Sequence, residues 1–134
     1  MVAVFLFLSG ALTICGLILN AVISVAYVVK NDLDMAEEHD VTARKVNSAL
    51  KLGVLALFIL SWFLANPGDM GSIITAYTFY VWIWLILGVC MCLFTIVCFA
   101  KKTSSIIVKS CASFAAWNIV FGLLLSVLCW LIGG

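Results

Sequence analysis

Hydrophobic residues fill four stretches of this chain almost without interruption: Val2–Val29, Val46–Ala65, Ile73–Ala100 and Ile106–Ile132. At 1.5 Å per residue, helices of these lengths reach about 30–42 Å, enough for the roughly 30 Å hydrocarbon core of a bilayer. Apolar and polar positions do not alternate within them. The runs are also about twice the length of a barrel strand, so spanning strands are excluded. The pattern predicts an all-α integral membrane protein, residues 1–134 forming a single helical bundle of four transmembrane helices at about 2–29, 46–65, 73–100 and 106–132. The first run exceeds the core thickness and is expected to tilt or to project into the headgroups. No Lys or Arg precedes it, and it is longer than the apolar core of a signal peptide, so it reads as a retained helix.

The interruptions differ in kind. Asn66-Pro67-Gly68 combines a helix stop with a turn, and predicts a tight antiparallel hairpin of the second and third runs. Lys101–Ser105 is equally short and joins the third run to the fourth. Only Lys30–Lys51 is long and polar, holding nine of the thirteen charged residues and the single histidine, His39. Residues 30–45 are expected to form a loop, with Asp40 as N-cap of a helix that begins at Val41 and continues into the second span. In its first turns Val46, Ala49, Leu50 and Gly53 share one face, and Arg44, Ser48 and Lys51 share another. Lys51 lies just inside the apolar run, where a long side chain can return its amine to the headgroups.

Composition agrees with the pattern. Two-thirds of the residues are apolar and a tenth are charged, which calls for a lipid solvent. A net charge of +1 leaves no basic surface for nucleic acid. Basic residues decide orientation: Lys30, Arg44, Lys45 and Lys51 flank the first connection, Lys101, Lys102 and Lys109 the third, and the second connection has none. The positive-inside rule therefore places the first and third connections in the cytoplasm and both termini outside, N-out/C-out. Trp62, Tyr77, Tyr80 and Trp130 then fall toward the outer leaflet, as an aromatic belt. The expected location is a bacterial inner (plasma) membrane.

Candidate chemistry is sparse. On the first span Ser9, Thr13, Gly16, Asn20 and Ser24 recur every three or four residues and so share one face. The fourth span carries Asn118, Gly122 and Ser126 in the same way, and the third offers Gly88. Asn20 and Asn118 lie about 14–15 Å from the flanking lysines, at matching depth. Such faces suit close helix packing, with the amides bonding each other, or they line a narrow polar path. Asp32, Asp34, Glu37, Glu38, His39 and Asp40 read as a solvated, partner-docking surface. Consecutive residues rarely converge on one ion and there is no second histidine, so no metal site is expected. Arg44, Lys45 and Lys51 are expected at the lipid headgroups. Cys15, Cys90, Cys92, Cys98, Cys111 and Cys129 sit in or beside apolar runs without Cys-x-x-Cys spacing, and serve as packing residues.

No ionisable residue is expected in the middle of a span, and a single loop histidine supports no base–nucleophile pair, so the chain reads as non-enzymatic and without cofactors. The sequence favours a structural or regulatory component of a membrane assembly, such as a phage-exclusion or defence system. Such a component docks a cytoplasmic protein through the loop. The alternative is an oligomeric ion channel or pore lined by spans one and four. A homo-oligomer is expected because small-residue faces in lipid find copies of themselves.

Overall fold

A computed structural model of the chain describes residues 2–133; Met1 and Gly134, the two ends of the expected 1–134 domain, lie outside it. The described residues contain four long helices and no strand. Helix α1 runs Val2–Ser24 and continues as a π-turn over Val25–Val29; α2 is Leu33–Leu64, α3 Met70–Ala100 and α4 Ser105–Gly133. All four are long and apolar enough to cross a membrane. They run alternately up and down, and α1, α2, α4 and α3 follow one another around the bundle, so α2 and α3, expected as a packed hairpin, are joined by a short turn but stand diagonally across it.

The first connection differs from the sequence-based expectation. The loop expected over residues 30–45 does not form. Asp32, not Asp40, caps α2, its carboxylate accepting the Met35 N–H at 3.1 Å. The chain turns within Lys30–Asp32, with Asn31 in the left-handed region at φ 51°. Asparagine tolerates that conformation through local side-chain bonding. Because the last turn of α1 is π-wide, Lys30 N–H closes onto the Val25 carbonyl at 2.9 Å and Asp32 N–H onto Ala26 at 2.8 Å. From Leu33 to Leu52 there is neither glycine nor proline, so nothing stops the helix. The charged residues therefore form the first three turns of a continuous rod.

The other connections are compact. Pro67–Asp69 makes one 3-10 turn, with Asp69 accepting the Asn66 N–H at 3.1 Å. After α3 the chain closes in a Schellman motif. Thr103 N–H reaches the Cys98 carbonyl and Lys102 N–H the Phe99 carbonyl, with Lys102 at φ 55° where glycine is usual.

Two apolar clusters fill the interior. One lies toward the α2–α3 hairpin and includes Val54, Phe58, Ile73, Tyr77, Trp84 and Leu125. The other lies toward the charged end and includes Ile23, Tyr27, Met91, Ile107 and Phe114. A polar layer separates them. Glycines bring the helices close at this height: a Cβ on Gly16 would meet Trp84 at 2.2 Å, one on Gly88 would meet Ile119 at 2.5 Å, and one on Gly122 would meet Leu85 at 2.6 Å.

Candidate functional site: a polar seam inside the bundle

The face that α2 buries carries polar residues among its apolar ones. Asp40, Asn47, Lys51 and Ser61 point inward at helical spacing, while Val41, Val46 and Leu52 point outward. Lys51, expected to return its amine to the headgroups, faces the interior instead, and Val46 faces outward. In an apolar solvent a helix would gain nothing by turning its hydrocarbon inward, and its polar groups would find partners only in the bundle.

At the charged end the seam begins at Asp40. Its carboxylate accepts from Arg44 at 2.8 Å, from the Tyr27 hydroxyl at 3.4 Å and from the Ser110 hydroxyl. Asp40 is thus buried, paired and bonded, and it leaves the docking surface assigned to it from sequence. Asp34, Glu37, Glu38 and His39 remain exposed, Asp32 is spent on the cap, and Arg44 and Lys45 stay at the surface.

Nearly two turns further along α2, three amides cross the bundle. Asn47 Nδ2 donates to Asn118 Oδ1 at 3.4 Å, Asn118 Nδ2 to Asn20 Oδ1 at 2.9 Å, and Asn20 Nδ2 to the Gly16 carbonyl at 2.7 Å. Ser24 donates to the Asn20 carbonyl at 2.7 Å. These bonds link α2, α4 and α1 through side chains at one height. Asn47 Oδ1 is left without a donor.

One turn beyond Asn47 lies Lys51. Its side chain is completely buried (0% exposed), and its Nζ sits 4.4 Å from the centroid of a Trp84 ring with no hydrogen-bond acceptor. No carboxylate pairs with it among the described residues. Trp84 stands midway along α3, about 21–24 Å from either helix end at 1.5 Å per residue. Its ring edge rests on Gly16 and its face meets Phe121 edge-on, with centroids 5.6 Å apart. The Trp84 Nε1–H and the buried Thr13 hydroxyl also lack partners. The snorkelling lysine expected at the headgroups is therefore an interior one, and an ionisable group does lie in the middle of the bundle.

The energies do not balance around that amine. A buried ammonium loses several kcal/mol of hydration. A desolvated cation–π contact returns about 2 kcal/mol. The indole face alone does not offset the burial.

Toward the α2–α3 hairpin the seam ends in a hydroxyl pair, Ser9 with Tyr77 at 2.6 Å, beside Ser61, which donates to its own helix at Leu57. Tyr77 is buried here and does not join an aromatic belt, whereas Tyr80 bonds the Leu6 carbonyl at 2.7 Å and Trp130 is exposed. Ser126 also departs from expectation. It faces outward, into a shallow groove between α3 and α4, and takes no part in the seam.

A cleft of about 220 Å³ lies between α2 and α4, lined by Arg44, Asn47, Ser48, Ser113, Phe114 and Trp117. Asn47, whose buried Oδ1 lacks a donor, lies in its wall one turn from Lys51. Sequence reasoning found the α1 residues and Asn118 but missed Asn47, Ser110, Tyr27 and Trp84. The spacing of Asp40, Asn47 and Lys51, seven and then four residues apart, carried the signal once α2 is drawn as one helix from Leu33.

No protein-family model matches the chain, and neither does any curated protein or solved structure. Function is therefore read from the geometry.

Proposed function

We propose that the chain is an integral membrane protein, N-out/C-out, whose interior seam carries a small ionic solute across the bilayer within a single bundle. The observation that carries this reading is the unpaired Lys51 amine at the middle of the four helices. Ionisable groups inside membrane bundles are costly and characteristically mark ion or substrate paths. Polar side chains continue the path in both directions, from Arg44 and Asn47 in the cleft to Thr13 and the Ser9–Tyr77 pair. The Trp84 layer closes it, because its ring already fills the space against Gly16. The reading is thus of a closed conformation, with Trp84 as the obstruction. No enzymatic role is proposed.

Reconstitution of the full chain into proteoliposomes tests this. Flux of small ions above that of protein-free vesicles is expected, under an imposed potential of one polarity or the other. Flux equal to protein-free vesicles for halides, alkali cations and protons alike would overturn it.

A second reading is favoured by a separate observation. Asp34, Glu37, Glu38 and His39 are exposed on the rigid first turns of α2. That surface suits the docking of a basic cytoplasmic protein, which makes the chain a regulated or regulatory subunit. Photocrosslinking from position 38 in intact cells would trap such a protein; adducts with lipid alone would remove the reading.

A further inference from the structure

The proposed path leaves the solute unnamed, and the layer around Lys51 identifies its chemistry. Three buried donors stand at this level without an acceptor: the Lys51 amine, the Trp84 Nε1–H and the Thr13 hydroxyl. Contacts on either side fix their common height. Leu12 of α1 lies against Gly53 of α2, Gly16 against Trp84, and Asn20 is linked through Asn118 to Asn47. Thr13 and Gly16 on α1 therefore bracket the level of Lys51 and Trp84. No carboxylate is placed to meet a charge on Lys51 either, since Asp40, the nearest buried one along α2, is already paired with Arg44 at 2.8 Å.

Resting on the reading of a solute path, we propose that the layer formed by Lys51, Trp84 and Thr13 is a binding site for one small monovalent anion of the halide class. A water molecule would accept a hydrogen bond but would not neutralise the charge. A metal cation would be repelled by it. A doubly charged oxyanion would leave a net negative charge in an apolar interior with one lysine to meet it, at a cost of several kcal/mol. A halide needs no donor of its own and takes N–H and O–H contacts from several sides.

The site is tested by the ³⁵Cl NMR linewidth of chloride added to the full chain in nanodiscs of zwitterionic lipid. Wild type is expected to broaden the line saturably. Bromide should reverse the broadening and sulfate should not. Lys51→Met should weaken binding about tenfold or more, the loss of one charge-assisted contact, whereas Lys51→Arg keeps the charge and should retain it. Thr13→Val removes one hydroxyl at nearly constant shape and is expected to weaken binding several-fold without loss of the fold; this variant decides the matter should Lys51→Met fail to reconstitute. Equal broadening by wild type, Lys51→Met and Thr13→Val would overturn the site. Saturable chloride binding without transmembrane flux would support the site and overturn the path. Cation flux without chloride binding would retain the path and overturn the site.

Discussion

At the residue scale the fold is decided by a few side chains whose polar atoms have one place to go. Asn118 is completely buried and serves two helices at once, receiving from Asn47 and giving to Asn20. Replacing it by leucine leaves two amides unmatched. The expected cost is about 1–3 kcal/mol, the usual penalty for a buried group stripped of its partner. Asn20→Leu should cost a similar amount. The double variant should cost less than the two together, because each single change already breaks the same bond. Unfolding in detergent, followed by intrinsic fluorescence, gives the three values; strict additivity would mean the two residues act independently. Asn20 and Asn118 were legible from sequence because amides are conspicuous among leucines, and their matching depth followed from counting residues to the flanking lysines. Trp84 was not legible. One aromatic among many on α3 gives no sign that its ring lies on a glycine of α1 and under a lysine of α2.

At the element scale the apolar content of each run was enough to find four helices, and local chemistry was enough to find two of the three turns. The failure at Lys30–Arg44 has a specific cause. A dense charge run was read as loop although Leu33–Arg44 contains only residues that a helix accepts, with Asp32 in front as cap and Asp40 and Arg44 spaced to pair. The turns themselves make opposite claims on stability. Asp32→Ala should lower stability by about 1 kcal/mol, since the Met35 N–H loses its acceptor. Lys102→Gly should raise it by a few tenths to about 1 kcal/mol, because φ 55° strains a residue with a Cβ and suits one without. Paired denaturation curves of the two variants check both signs. A stabilised Asp32→Ala would return the start of α2 toward Val41.

At the scale of the whole molecule the small-residue faces are spent inside one chain. Ser9, Thr13, Gly16, Asn20 and Ser24 are all buried against α2, α3 and α4, as are Gly88 and Gly122. The homo-oligomer expected from surplus small faces loses that support, since of this set only Ser126 lies outside. The proposed path is accordingly drawn within a single bundle. The charge asymmetry of its ends gives an orientation to check: Lys30, Arg44, Lys45, Lys101, Lys102 and Lys109 gather at one end, and the α2–α3 hairpin at the other has no basic residue. A reporter active only in the cytoplasm, fused after the last residue, should stay silent, and the same reporter inserted beside Lys102 should be active. The reverse pattern would invert the molecule.

Lys51 joins these scales, and its replacement tests the account most directly. Methionine matches the lysine stem in volume and removes the unpaired charge. Removing an unpaired buried amine relieves the desolvation cost of its charged form, several kcal/mol for an ion. Ion flux through Lys51→Met in proteoliposomes, set against wild type at equal protein density, is the deciding measurement. The account expects the methionine variant to reconstitute as well as wild type or better, yet to carry little or no flux. A folded Lys51→Met that conducts as wild type does would contradict it.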